Sequence, residues 1–277
     1  IEWQKSLGGI GFDVANSIKQ SIDGSYSIAG SSNSNDGDVS GNHGGSDIWV
    51  VKLSNTVAIP DVNFKAKLLA ANSSNTTAKD LAGNYFKIDS NANGEIETDE
   101  ALQVSEMVVS GIGITDLTGI KSFINLRVLD CSINSISTLD ISGLINIQNL
   151  NCSSNWISSL DVSSLVNLQM LNCTYNRLTS LNVSNLTLDT LDCSHNLLTD
   201  LNVFNVFNFN CSYNKLTTLD ANFINVLNCS FNKFITLDLS NLKTFYRPSI
   251  NSPDDFFGLQ SANFSNNPIS IISVLKN

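Results

Sequence analysis

Residues 126–134 read Leu-Arg-Val-Leu-Asp-Cys-Ser-Ile-Asn, and residues 147–155 repeat the spelling as Ile-Gln-Asn-Leu-Asn-Cys-Ser-Ser-Asn. The register continues through Leu168, Leu171, Cys173 and Asn176, then through Leu188, Leu191, Cys193 and Asn196. Two shorter copies follow at Val206, Phe209, Cys211 and Asn214 and at Ile224, Leu227, Cys229 and Asn232. A last copy carries Leu259, Ala262, Phe264 and Asn267. The cysteines at 131, 152, 173, 193, 211 and 229 are therefore spaced by 21, 21, 20, 18 and 18 residues. No metal-ligand pair has that spacing, whereas a structural repeat of about 20 residues does.

Each copy has a plain physical reading. The stretch around L-x-x-L-x-C is a short parallel strand whose alternate side chains enter a core. The Asn three places after the cysteine can bond backbone groups where the chain turns, and stacked turns make a ladder of such bonds. Pairs such as Ile136 with Leu139 and Leu216 with Leu219 close the back of each coil. The fold class is thus mainly β: a leucine-rich-repeat solenoid over residues 104–277, with Val104, Met107 and Val109 as a degenerate first coil. The cysteines share a column that Phe264 fills in the last copy, so they read as buried free thiols behaving as small hydrophobes. The interval from Cys229 to Phe264 is 35 residues, which expels a loop at 243–258. Within it Tyr246 and Arg247 are typical contact residues on a rigid scaffold.

Two further segments precede the repeats. Residues 55–103 read as a small helical cap. Asp61 is a candidate N-cap, Phe64, Leu68 and Ala71 fall on one helical face, and a second short helix is expected after the polar loop 72–77. This cap leads into residues 89–100, Asp-Ser-Asn-Ala-Asn-Gly-Glu-Ile-Glu-Thr-Asp-Glu, which fit a twelve-residue calcium loop. Asp89, Asn91 and Asn93 supply side-chain oxygens, Glu95 its carbonyl, Glu97 a water-bridged carboxylate and Glu100 a bidentate one. Gly94 permits the sharp turn and Ile96 anchors the core. Two Asn ligands lower the charge of the site and predict modest affinity, suited to an extracellular setting. The calcium would be structural, capping the exposed end of the solenoid, and a polar turn without metal is the plain alternative. Residues 1–54 read as a four-stranded antiparallel, blade-like unit, with strands at Glu2-Trp3-Gln4, 15–20, 26–31 and 48–53. Asn33, Asn35, Asp36 and Asp38 could hold a second cation or simply form a polar loop.

Composition narrows the partners. The 277 residues carry 15 Lys and Arg against 25 Asp and Glu, a net charge of −10, with no basic run to neutralise a phosphate backbone. Nucleic acid and anionic membrane surfaces are disfavoured on that ground. No apolar stretch is long enough to span a bilayer. Enzyme signatures are missing: neither His43 nor His195 sits in H-E-x-x-H, and no G-x-S-x-G elbow or P-loop occurs. Asp130 and Asp192 share a column about three coils apart, roughly 14 Å at sheet spacing, too far for a glycosidase pair. The reading is a protein that is not an enzyme.

The outward columns then carry the candidate binding face. One is Asp130, Asn151, Asn172, Asp192, Asn210, Asn228 and Asn263, and its neighbour is Ser132, Ser153, Thr174, Ser194, Ser212, Ser230 and Ser265. A third, at the strand end, is Ile133, Ser154, Tyr175, His195, Tyr213, Phe231 and Asn266. Amide and hydroxyl rows beside an aromatic stripe suit a sugar ring or a polar protein surface. The selected ligand-binding candidates are Tyr175, His195, Tyr213 and Phe231 with Asn172, Asp192, Asn210 and Asn228. Stacked amides can also satisfy one another, which leaves a structural spacer or stalk as the alternative function.

The repeat L-x-C-S-x-N-x-L-x-x-L-D-[IV]-S, the segment Ile59-Pro60-Asp61-Val62-Asn63-Phe64-Lys65 and the loop Asp89-Ser90-Asn91-Ala92-Asn93-Gly94 together resemble leucine-rich-repeat surface proteins of Bacteroidetes bacteria. The segments Trp3-Gln4-Lys5-Ser6-Leu7-Gly8-Gly9 and 35–53 resemble propeller-type repeats of large secreted proteins from the same bacteria. The resemblance implies export by the type 9 secretion route and display at the cell surface or release. It also implies an extracellular protein or glycan as partner, or other components of an outer-membrane assembly. The chain opens Ile1-Glu2-Trp3 and ends at Asn277 without a sorting domain, so part of a longer protein is expected.

Overall fold

The computed structural model describes residues 6–20, 25–53, 55–240, 242, 245–246, 256–257 and 259–274. The chain divides into two compact units, residues 1–57 with 97–99, and residues 58–96 with 100–277.

In the first unit, β1 (Asp13–Gln20), β2 (Tyr26–Ser32) and β3 (Asp47–Leu53) form an antiparallel sheet in sequence order. The strand expected at Glu2-Trp3-Gln4 lies outside the described residues, so three of the four anticipated strands are seen. The Asn33–Asp38 loop is tied to the segment before β1. Asn33 Oδ1 accepts from the Phe12 amide, Asp36 Oδ1 from Ile10 N at 2.8 Å and Asp38 Oδ2 from Gly8 N at 3.2 Å. These oxygens therefore act as anchors for backbone N–H groups.

The second unit begins with α1 (Val62–Leu69). Asp61 caps it, its Oδ1 accepting from Asn63 N at 3.0 Å and Phe64 N at 2.9 Å. Phe64 and Leu68 are fully buried and Ala71 nearly so, as the helical spacing predicts. The other Asp61 oxygen accepts from Thr115 N, Thr115 Oγ1 and Asp116 N at 2.9–3.3 Å, so one side chain fastens the helix to the first coil. The second expected helix does not form. Residues 78–80 are instead β4 (Ala78–Asp80), paired antiparallel with β5 (Val104–Val108). Asp80 Oδ1 accepts from Ala82 N and Asn84 N, both at 2.9 Å, and Gly83 takes φ +87°, which closes a turn where a helix would have to continue. The short α2 (Thr98–Ala101) leads into β5.

From β5 onward the sheet is parallel. β6 (Val128–Asp130), β7 (Asn149–Asn151) and β8 (Met170–Asn172) pair in register, with Leu129, Leu150 and Leu171 stacked. The next three strands lengthen to β9 (Val183–Asp192), β10 (Asn202–Asn210) and β11 (Asp220–Asn228), after which β12 (Thr236–Leu239) pairs with β16 (Ile271–Val274) and β15 (Ser261–Asn263) extends the main sheet. For β10 and β11 the lengthening follows from the repeat. Their coils have 18 residues and must span the same outline as one of 21, so the back straightens into extended chain. In the expelled loop, β13 (Phe245–Tyr246) pairs with β14 (Phe256–Phe257). Arg247 lies outside the described residues.

The interior follows the repeated columns. All six cysteines are free and fully buried, stacked among buried Leu, Ile and Phe. Burial pushes the Cys152 thiol up to about 12, and the others are raised for the same reason. In the last coil the corresponding Ala262 is exposed and Phe264 half-buried.

Candidate functional site

The turn after each strand is built around its asparagine. Asn155 Nδ2 donates to the carbonyls of Cys131, Cys152 and Ser153 at 3.0–3.2 Å, while its Oδ1 accepts from Ile136 N at 3.0 Å. Asn176, Asn196, Asn214 and Asn232 repeat the pattern, each reaching back to the preceding coil. Asn points inward only because the residue before it turns through the left-handed region. Ile133, Ser154, Tyr175, His195, Tyr213, Phe231 and Asn266 all have φ between 53° and 56°. None is Gly, so each carries the steric cost of that conformation. The backbone holds them there: Ser154 N donates to Thr174 O at 2.8 Å and Asn155 N to Tyr175 O at 3.2 Å, with equivalents in the other coils.

This turn throws the preceding side chain outward and lines up the aromatic row. Tyr175 and His195 stack with centroids 4.0 Å apart and planes within 10°. His195 and Tyr213, then Tyr213 and Phe231, stack at 4.2 Å and 11°. Tyr175 remains 57% exposed, against 44% for Tyr213 and 40% for Phe231, while His195 is half-buried between its neighbours. Four rings thus form one continuous edge on four successive coils. Beside it, Arg177 places its guanidinium 5.5 Å from the centre of the exposed Trp156 ring. Neither residue was among the sequence candidates, although both sit two places beyond the aromatic column.

The amide row is engaged locally. Asp192 Oδ1 accepts from Ser194 N and Oγ at 3.0 and 2.7 Å, and Asn210 and Asn228 hold Ser212 and Ser230 in the same way. Asn172 Oδ1 accepts from Thr174 N at 3.2 Å, and Asn210 Nδ2 bridges to Asp192 Oδ2 at 3.0 Å. The hydroxyl column, expected to be exposed, is buried from Ser132 to Ser230 by these bonds. Outward polar atoms here fasten the strand ends, and the rings provide the exposed relief.

The 89–100 loop is closed by hydrogen bonds between its own side-chain oxygens and its backbone amides. Asp89 accepts from Asn93 N at 3.1 Å and Gly94 N at 3.3 Å, Asn91 Oδ1 from Asn93 N at 3.0 Å, and Asn93 Oδ1 from Glu95 N at 2.8 Å. Ala92 at φ +58° and Gly94 at +82° curl the chain between them. Glu100 Oε1 accepts from Ser90 N at 2.6 Å and Ser90 Oγ at 2.9 Å, returning the twelfth residue of the loop to its start. Asp89 and Glu100 are both buried and Ile96 is fully so. The Glu95 carboxylate is committed to Lys65 at 2.7 Å, which leaves its carbonyl as the donor the loop pattern requires. Glu97 is buried and pairs with Thr56 through an isolated antiparallel bridge. Among the described residues no group of three or more His, Cys, Asp or Glu gathers at one point. The donor set is two carboxylates, two amides and a carbonyl, all hard oxygens, and such a set fits calcium.

No helix among the described residues is long and apolar enough to cross a membrane. No protein-family model matches the chain. No curated protein matches it either. Solved structures do. The functional domain of InlJ from Listeria monocytogenes, which includes a cysteine ladder, is 22% identical over 78% of this chain and 60% of its own, with a TM-score of 0.42. A leucine-rich-repeat protein of Leptospira interrogans is 22% identical over 63% of this chain and 47% of its own, at 0.49. A chain of the LRIM1/APL1C complex is 20% identical over 64% of this chain and 38% of its own, at 0.50. The chain thus spans between 38 and 60% of the length of these three structures. Parallel register, inward Leu and Cys columns and the asparagine ladder make the second unit a leucine-rich-repeat β-solenoid.

Proposed function

We propose that this chain is a non-catalytic recognition module that binds an extracellular protein through the strand-end edge of its solenoid. The observation that carries the reading is the exposed stack of Tyr175, His195, Tyr213 and Phe231. Large rigid rings held on a fixed scaffold lose little entropy on binding and dominate protein interfaces. The polar rows behind them are already bonded to the chain's own backbone, which favours a protein surface docking on rings over a glycan that needs many free donors. Calcium in the 89–100 loop, held by Asp89, Asn91, Asn93, the Glu95 carbonyl and Glu100, with Glu97 through water, would stiffen the first coil. The resemblance to Bacteroidetes surface proteins supports export through the type 9 route and a place outside the outer membrane, alone or within a larger assembly.

The test is a binding screen of the purified chain against secreted and surface proteins and a glycan panel, in calcium and in EDTA. A Tyr175→Ala, Tyr213→Ala, Phe231→Ala variant runs in parallel, with its fold checked by circular dichroism. A protein partner bound by the wild type and lost by the folded variant is the expected result. Silence in every panel, with EDTA lowering only the melting temperature, would replace recognition with a calcium-stiffened spacer.

A further inference from the structure

The left-handed column is filled by rings on four coils, and immediately before them it is empty of one. Ser154 occupies the place next to Tyr175, and Ile133, 65% exposed, the place beyond. The backbone bonds that run from Asn134 N to Ser154 O and from Asn155 N to Tyr175 O show that the three residues stand on consecutive coils in one register. Parallel strands are about 4.8 Å apart, so Ile133 and Tyr175 are separated by roughly 9.6 Å along the column. Rings in this column stack at 4.0–4.2 Å. One flat ring placed over Ser154 would meet Tyr175 at that distance, with Ile133 on the far side of the same place.

Tyr175 behaves as the open end of a stack. Its ring contact among the described residues is His195 on one side, and it is the most exposed of the three phenyl-type rings. Trp156, two residues beyond Ser154, is 53% exposed. The slot is therefore the place over Ser154 between the Tyr175 ring on one flanking coil and the exposed Ile133 on the other.

We infer that the Ser154 position is a docking slot for a single aromatic side chain of a protein partner, which completes the stack on the free face of Tyr175. The inference rests on the recognition reading above and names its anchor. The occupant is set by the chain's own precedent: four coils place a planar ring in this register, with planes within 11° of one another. A planar ring reproduces that geometry, whereas a branched aliphatic side chain cannot lie flat against Tyr175.

The probe is N-acetyl-tyrosinamide, with N-acetyl-leucinamide and methyl β-D-glucopyranoside as comparators, each titrated into the full chain while ring-proton signals are followed by NMR. The expected result is a saturable millimolar response at Tyr175 from the tyrosine compound, at least tenfold weaker from the other two. Ser154→Tyr fills the slot from within and should abolish the response while leaving the fold intact, because neighbouring coils already carry Tyr in this conformation. An unchanged response in Ser154→Tyr, no response at Tyr175 in the wild type, or a stronger response to the glucoside each overturns the slot. A partner lost by the triple-alanine variant but retained by Ser154→Tyr would leave the recognition reading standing and remove only the slot.

Discussion

Ile133 bears the heaviest conformational cost in its column, because a β-branched side chain at φ +56° crowds its own backbone. Being 65% exposed, it returns little through burial. Ile133→Asn should therefore raise stability by about 1 kcal/mol, since Asn tolerates the left-handed region, and urea denaturation would measure it. A loss of stability instead would mean that the exposed Ile packs more usefully than its accessibility indicates. Asn155 is the opposite case. Its replacement by Ala strands the buried Ile136 amide and takes one of two donors from the Cys131, Cys152 and Ser153 carbonyls, and the expected cost is about 1–3 kcal/mol, read from the same denaturation curves. The sequence displays Asn155 openly, since every copy repeats it. It hides the conformation of Ile133, because left-handed residues are recognised by Gly and this column has none. Tyr175, His195, Tyr213 and Phe231 were legible as a stripe, but their face-to-face stacking depends on that hidden turn. The amide row was legible as a column, whereas its bonds to Ser194, Ser212 and Ser230 emerge only from the fold.

Among the elements, α1 depends on one carboxylate. Burial pushes the Asp61 acid upward, but hydrogen bonds from Thr115, Phe64 and Asp116 outweigh it and hold the group below the usual carboxylate range. A lowered value means that the folded state favours the ionised form. The stabilisation is complete above pH about 4 and is lost as pH falls through the depressed folded value. Asp61→Ala should cost about 1–2 kcal/mol through the lost cap and should flatten the acid side of the stability profile, measurable as melting temperature from pH 2 to 6. An unaltered acid limb in the variant would show that other carboxylates govern acid unfolding. This cap was readable from Pro60-Asp61 followed by Phe64 and Leu68. The missing second helix was not, since a short polar segment with Gly83 holds helix and turn signals together, and pairing of β4 with β5 decides between them. Strand length has a partial signal in the sequence: the spacing drops to 18 where β10 and β11 lengthen, whereas β9 lengthens already in a coil of 20.

At the scale of the whole solenoid, coils contact only their neighbours, so stability propagates from coil to coil and opening begins at the ends. The cysteine ladder provides one reporter per coil. Every thiol is fully buried and raised, mainly by burial, so at pH 8 it stays protonated and inert until its coil opens. The same shift predicts that stability falls as pH climbs from about 9 towards 12, because the unfolded chain releases thiol protons that the folded one retains. If calcium in the 89–100 loop stiffens the first coil, its effect should be graded along the ladder. With calcium at ten times its dissociation constant, opening near the loop should slow roughly tenfold. Alkylation followed by mass spectrometry would then show Cys131 strongly protected by calcium, Cys152 less, and Cys229 at the rate found in EDTA. Equal protection at Cys131 and Cys229 would mean that the solenoid opens as one cooperative body and that the loop stabilises all of it. Equal rates with and without calcium at every cysteine would show that the loop holds its shape through Asp89, Ser90 and Glu100 alone, with no cation contributing to the first coil.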